Sequence, residues 1–182
     1  DEFWAAKQVM RFTDEEIQKA LDIVKVKYTK HTPDEIAERV AEMLANQKIV
    51  GWFQGRGEWG PRALGARSIL GDPRTREMLY QVNAAVKYRD GWRPFAPSML
   101  EEVADEYLEG STYAPFMIMT FPVREDKREL IPAVVHVDGT TRPQMVRRSV
   151  NPLYYDMIKR FGDKTGVPVV MKELRKAGLM HE

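Results

Sequence analysis

Arginines framed by glycines dominate one short stretch of the sequence, residues 55–74. Four arginines and five glycines lie within these twenty residues. A glycine lets the backbone approach a ligand closely, and an arginine presents a planar set of donors that suits phosphate or carboxylate. Charge alone would indicate a solvated surface, whereas the glycine framing indicates a shaped pocket for an anion.

A second basic segment follows at residues 87–98. Lys87 and Arg89 lie two residues apart, so an extended backbone points both side chains to one face. Arg93 stands beside Pro94 and close to Pro97, and prolines lower the entropy cost of holding a ligand because they restrict the backbone. The two basic segments together would bind two or more phosphate groups. The alternative is a salt-bridged surface in which neighbouring acidic residues neutralise these bases.

A third candidate segment ends in Arg142. His136 lies in an apolar stretch and is interpreted as a core histidine rather than a base, whereas Arg142 follows the glycine turn at 138–140 and is a candidate anion clamp. The sequence contains no Walker phosphate loop, no nucleophile elbow and no paired-histidine metal motif. Any nucleotide site must therefore be of another type.

Composition excludes several classes of function. The 182 residues contain no cysteine and three scattered histidines, which excludes disulfides and thiol catalysis and argues against a structural metal. The net charge of +1 provides no global field for nucleic acid or an anionic membrane. No apolar run approaches the roughly 20 residues that span a bilayer, and the N-terminus lacks a secretory pattern. A single domain over residues 1–182 and a cytoplasmic location are expected, and the oligomeric state stays open, with a homodimer among the options.

The elements that must position these side chains are both helical and extended. Thr13 and Thr32 each begin a capping box, which predicts a helical lead-in at about 13–46 made of helices at 13–27 and 32–46. Further helices are predicted at 75–87, 101–108, 151–161 and 173–180. Strands are predicted at 48–54, 67–70, 116–123, 134–137, 142–146 and 167–171. Intermixed elements of both kinds favour an α/β or α+β fold.

Three motifs make the sequence similar to a known family. They are Gly55–Leu70, Trp92–Pro97 and Ile131–Gln144. In this order and spacing they resemble the C-terminal domain of the O-carbamoyltransferases, which include nodulation-factor and antibiotic-tailoring enzymes. The resemblance runs from about residue 13 to residue 170, nearly the whole chain.

The resemblance implies a fold and an activity. The fold would be YrdC-like, a twisted open mixed sheet flanked by helices, with a basic cavity. The domain would take carbamoyl phosphate and ATP, the latter with Mg²⁺, and form carbamoyl-adenylate with release of phosphate and pyrophosphate. Transfer to a hydroxyl acceptor would fall to an N-terminal sugar-kinase-like domain, which would hold a metal and which this chain does not include.

The resemblance also implies roles for particular residues. Lys87 and Arg93 would clamp the phosphate and carbamoyl end of the substrate, and Arg62 and Arg142 would hold the nucleotide phosphates or the carbamoyl oxygen. The cofactor-binding candidates are Arg56, Arg67, Arg89 and Ser98. Such chemistry needs fixed cations more than proton transfer, so the lack of a catalytic cysteine or histidine is no objection.

One departure from the family pattern lies near the end of the chain. After the strand-like segment Thr165–Val170 the family usually continues Asn-Thr-Ser-Phe-Asn, whereas this chain continues Met171-Lys172-Glu173-Leu174-Arg175. Two alternatives to an enzyme domain are therefore kept open. One is a non-catalytic nucleotide-binding or partner-docking module, and the other is an RNA-binding domain, which the near-neutral charge disfavours.

Overall fold

The computed structural model describes residues 8–58, 60–84 and 94–174, with the backbone alone at 8–11, 56, 57 and 174. The strands of these ranges are β1 Gln8–Arg11, β2 Val50–Phe53, β3 Arg56–Glu58, β4 Arg67–Gly71, β5 Ala96–Leu100, β6 Phe121–Pro122, β7 Thr140–Thr141, β8 Gln144–Val146 and β9 Val169–Leu174. The helices are α1 Asp14–Ile23, α2 Pro33–Ala45, α3 Arg76–Val82, α4 Ala104–Tyr107 and α5 Pro152–Thr165, with 3-10 turns at Glu101–Val103 and Glu125–Leu130.

A mixed sheet of five strands forms the centre of the fold, in the order β2-β4-β9-β5-β8. The pairs β2–β4, β4–β9 and β9–β5 are antiparallel, whereas β5–β8 is parallel. Two small antiparallel ribbons, β1–β3 and β6–β7, lie outside this sheet. The predicted mixture of helices and an open mixed sheet is therefore confirmed.

Local signals explain the first two helices. The Thr13 hydroxyl accepts from the backbone of Glu16, whose carboxylate accepts from the backbone of Thr13 in return. Thr32 and Glu35 make the same reciprocal pair at the start of α2. Each box satisfies backbone donors that the first helical turn leaves without partners, so the helices begin at the predicted residues.

Helices α2 and α5 cover one face of the sheet. Successive strand residues alternate between the two faces, so Leu70, Leu100 and Val170 share this face. The buried side chains that the two helices contribute to this layer are Ala37, Ala41, Leu44, Tyr154, Met157, Ile158 and Phe161. Salt bridges from Arg160 to Asp34 and Glu38 join the outer sides of the same two helices.

The opposite face is covered by α3 and by a segment with little regular structure. Ile69, Met99 and Val169 point to this side and meet Met78 and Val82 of α3. The irregular segment between α4 and β7 adds buried side chains, namely Leu108, Ala114, Phe121, Val123, Ile131, Ala133 and Val134. The inner strands of the sheet are therefore covered on both faces, which explains why they read as largely apolar runs, whereas Gly51 and Phe53 of the edge strand β2 are exposed.

Several predicted elements were wrong. The segment predicted as strand 116–123 is extended only at Phe121–Pro122, and residues 134–137 form no strand. The predicted hairpin of 134–137 with 142–146 is replaced by two other pairings: β7 pairs with β6, and β8 pairs with β5. Residues 96–100, for which no strand was predicted, form β5, and residues 173–174, predicted as part of a helix, belong to β9. Helix α3 has α-helical geometry over Arg76–Val82 and continues as a π-helical turn at residues 83–84, and residues 85–87 of the predicted helix lie outside the described residues.

We expect Gly162→Ala to destabilise the fold although it improves helix propensity. A Cβ atom at Gly162 would lie 2.9 Å from the Cα of Pro168, which is backbone and cannot rotate away. Overpacking of this kind costs about 2 kcal/mol, more than the roughly 1 kcal/mol that alanine gains over glycine in a helix. Urea unfolding measures the change. Gly51→Ala, where no atom lies within 4 Å of the added Cβ, is the matched control; equal midpoints for the two variants would contradict the expectation.

Candidate anion-binding site

A short loop carries Arg62 between β3 and β4, and the buried carboxylate of Glu58 holds it in place. Glu58 Oε1 accepts from the backbone amides of Leu64 at 2.9 Å and of Ala66 at 3.2 Å. The Arg67 guanidinium donates to the carbonyl of Gly60 at 2.7 Å and so fixes the start of the loop. These bonds close the loop around a carboxylate that is 8% exposed.

The end of the loop is pressed against α5. Trp52 Nε1 donates to the Gly65 carbonyl at 2.9 Å, and the Gly65 backbone has a φ of +97°. A Cβ at Gly65 would lie 2.7 Å from the ring of Tyr154. Both the conformation and the contact require glycine here, which accounts for this glycine of the first motif.

Arg142 lies between β7 and β8, 80 residues after Arg62 in the sequence. Its neighbour Thr141 is fully buried and donates its hydroxyl to the Val134 carbonyl at 2.7 Å. The Nε atom of Arg142 is buried and has no hydrogen-bond partner among the described residues. Burial lowers the pKa of the Arg142 guanidinium and the nearby Arg62 lowers it further, while Glu173 acts in the opposite direction. The side chain nevertheless stays charged, because arginine ionises far above neutral pH.

Lys172 is the third basic residue at this place, and it lies in the central strand β9. Its neighbours across the sheet are Leu70 in β4 and Ala96 in β5. The side chain is 1% exposed. Burial lowers the pKa of Lys172 well below its ordinary value, Arg142 lowers it further, and the carboxylates of Glu58 and Glu173 only partly compensate.

A chain of buried hydrogen bonds connects Lys172 to α5. The ammonium of Lys172 donates to Gln144 Oε1, which also accepts from the Ser98 hydroxyl at 3.1 Å. The Tyr154 hydroxyl donates to Ser98 Oγ at 3.0 Å, and Gln144 Nε2 donates to the Leu64 carbonyl at 2.9 Å. Gln144 therefore links the lysine, the tyrosine and the Arg62 loop, and its amide orientation follows from this network.

Arg62, Arg142 and Lys172 line one small cavity, which we call the cation cavity. Its volume is about 50 Å³. One water needs about 10–15 Å³, so the space suits a few water-sized atoms such as the oxygens of one phosphate group. Besides the three cations the wall contains Pro61, Ala63, Pro94, Ala96, Met117 and Glu173. Cations fixed around so small a cavity bind oxyanions strongly, because little water competes.

Two other cavities are less suited to an anion. A wide groove of about 840 Å³ runs along the start of α3 and residues 128–139. Its three arginines face three carboxylates, from Glu77, Glu129 and Asp138, and one of these arginines, Arg74, is already paired with buried Asp72. A cavity of about 70 Å³ lies on the other side of Gln144 and contains the Glu58 carboxylate, which would repel an anion.

The predicted site residues divide into three groups. Arg62 and Arg142 line the cation cavity, although 80 residues separate them in the sequence. Ser98 lies next to the cavity within the hydrogen-bond chain, and Arg67 braces the Arg62 loop. The side chains of Arg56, Lys87, Arg89 and Arg93 lie outside the described residues, so their assignments stay predictions.

Sequence reasoning missed Lys172, Gln144 and the positioning role of Glu58. A signal for Lys172 existed, since it is a charged residue at the end of the apolar run Val167–Met171. Charged side chains are rarely buried unless they serve a purpose. The predicted strand stopped at residue 171, and Lys172 therefore fell between two elements.

The described residues contain neither a membrane-spanning helix nor a cluster of metal ligands. No described helix has the length and apolar character needed to cross a bilayer. In the same ranges, no three histidine, aspartate or glutamate side chains converge in a way that would hold a metal ion.

Comparison with known proteins identifies the family. The model of the family described as "Carbamoyltransferase C-terminus" matches residues 41–173, which include all three cations of the cavity. This chain belongs to the carbamoyltransferase C-terminal family.

Individual relatives agree with this family. The chain is 51% identical over 141 residues to "Nodulation protein NolNO" of Sinorhizobium fredii, covering 76% of this chain and 21% of that protein. It is 49% identical over 141 residues to "Nodulation protein NolO" of Bradyrhizobium diazoefficiens, covering 76% of this chain and 26% of that protein. An uncharacterised protein of Methanocaldococcus jannaschii is 36% identical over 169 residues, covering 93% of this chain and 28% of that protein. The matched part of the chain thus spans between about a fifth and three tenths of the length of these relatives.

Proposed function

We propose that this chain binds carbamoyl phosphate and ATP and forms carbamoyl-adenylate, as the C-terminal part of an O-carbamoyltransferase. The observation that carries the proposal is the convergence of Arg62 and Arg142 on one phosphate-sized cavity. These arginines come from two of the motifs that the sequence shares with the family. Membership of the carbamoyltransferase C-terminal family supports a transferase.

The reaction places a specific demand on the site. Water cleaves carbamoyl phosphate to carbamate and phosphate, and a carbamate oxygen then attacks the α-phosphorus of ATP with pyrophosphate as the leaving group. Negative charge develops on carbonyl and phosphoryl oxygens in both steps. Arg62 and Arg142 would stabilise that charge as preorganised cations, and Lys87 and Arg93 are proposed to hold the remaining phosphate and carbamoyl groups. Transfer of the carbamoyl group to a hydroxyl acceptor is assigned to a separate sugar-kinase-like domain.

Mixing the protein with carbamoyl phosphate and MgATP should release pyrophosphate, and neither substrate alone should do so. The release is followed with a coupled pyrophosphate assay. A parallel thermal-shift titration measures binding, because a ligand at about 100 times its Kd adds about 2.7 kcal/mol of stability. Binding of both substrates without pyrophosphate release would identify the alternative, a non-catalytic binding module. No thermal shift with either substrate would contradict the proposal itself.

A further inference from the structure

The ammonium of Lys172 is poorly satisfied for a group that is fully enclosed. An ammonium has three donors, and among the described residues its hydrogen-bonding partner is one oxygen, Gln144 Oε1, which it shares with Ser98. A buried charge without compensation is costly, so a lysine in this situation gives up its proton readily. The lysine also lines a cavity that already contains two guanidinium groups.

The charged groups around Lys172 come from several elements. Glu58 of β3 and Glu173 of β9 favour its charged form, and Arg142 disfavours it. Arg62 adds a further positive charge across the cavity. The Tyr154 hydroxyl of α5 stays neutral, because burial raises the pKa of that phenol. In the described part of the chain the balance therefore disfavours a charged lysine while the cavity holds no anion.

We propose that Lys172 takes up a proton when a tetrahedral oxyanion enters the cation cavity, so that anion and proton bind together. The proposal rests on the proposed function, since the oxyanion would be a phosphoryl group of that reaction. A dianion between Arg62 and Arg142 cancels the repulsion that these residues exert on the lysine and supplies the acceptors that Gln144 alone does not. Lys172 is then a binding residue whose charge appears with the ligand.

Proton uptake predicts a characteristic pH dependence. The charged lysine is favoured in the complex and disfavoured in the free protein, so its pKa rises on binding. Between these two pKa values, anion affinity falls by up to about tenfold for each unit of increase in pH, because one proton is taken up per anion. Permanently charged arginines alone would give no such slope.

Sulfate is the suitable probe, because its charge does not change in the neutral and alkaline range. Titration calorimetry with sulfate, in two buffers of equal pH and different ionisation heats, counts the protons taken up. The wild type should take up close to one proton per sulfate at pH values between the pKa of Lys172 in the free protein and its pKa in the complex. Lys172→Met and Lys172→Asn should take up almost none and should bind sulfate with little pH dependence. Lys159→Met, at an exposed lysine of α5, should behave as wild type.

The outcomes separate this inference from the proposed function. The role of Lys172 is overturned if proton uptake persists in both Lys172 variants. It is also overturned if the wild type binds sulfate without taking up a proton. The absence of sulfate binding to the wild type overturns it as well. In each case the pyrophosphate assay still decides the proposed function, because it measures product formation and not proton uptake. If a variant fails to fold, the proton number of the wild type alone still tests the inference.

Discussion

Replacing Arg142 with methionine should lower the rate of pyrophosphate release by at least about 100-fold, because one preorganised charge donor at a reacting oxyanion contributes about 10²–10³ in rate. Methionine fills a similar volume without the charge and leaves the apolar wall of the cavity intact. The Nε atom of Arg142 has no partner to lose among the described residues, so the fold should tolerate the change. The effect should therefore appear in the rate rather than in the unfolding midpoint.

The same substitution at Arg148 is the matched control for this prediction. Arg148 follows β8 a few residues later, is 69% exposed and pairs only with Asp156 among the described residues. Arg148→Met should keep the wild-type rate. A second variant, Arg62→Met, should lose activity like Arg142→Met, since both arginines line the same cavity. Full activity in either cavity variant would remove that arginine from the proposed site.

The parts of the fold that follow from local chemistry could be predicted from the sequence. The helices α1 and α2 begin at their capping boxes because the stabilising bonds join residues three apart in the chain. Strands β2 and β4 are short runs rich in apolar residues, and the sequence predicted them at 48–54 and 67–70. In each case the decisive contacts are near in sequence.

The elements that were predicted wrongly are those whose pairing strands are distant in the sequence. Ser98 pairs in parallel with Gln144, and no local pattern encodes a parallel pairing across 46 residues. The turn at 138–140 suggested a hairpin with 134–137, but Thr141 pairs with Phe121 instead. Glu173 continues β9 because it pairs with Ile69, although its own sequence context is typical of a helix.

The residues of the candidate site also differ in how far the sequence predicts them. Arg62 and Arg142 could be predicted because each stands in a recognisable motif of arginine, glycine and proline. For Lys172 the sequence offers only a charged residue at the end of an apolar run, because its role depends on being enclosed between β4 and β5 and on the amide of Gln144. Burial of a single polar side chain is a tertiary property, and the charge that it carries depends on that burial.

Replacing Glu58 with alanine should destabilise the protein by about 3 kcal/mol, since a buried donor left without its acceptor costs about 1–3 kcal/mol and two backbone amides lose theirs. These amides, of Leu64 and Ala66, have Glu58 Oε1 as their acceptor. The Arg62 loop would lose its central support, so the affinity for carbamoyl phosphate should fall together with stability. Urea unfolding and a thermal-shift titration measure the two effects.

Two further variants distinguish the hydrogen bonds of Glu58 from its charge. Glu58→Gln keeps an oxygen for the loop amides and removes the negative charge, so the loop should persist while the pKa of Lys172 falls further, because Glu58 favours the charged lysine. Proton uptake with sulfate would then still occur but would shift to lower pH. Glu77→Ala, at an exposed glutamate of α3, should change neither stability nor binding. If Glu58→Ala unfolded at the same urea concentration as Glu77→Ala, the loop would be held by other contacts and Glu58 would have no positioning role.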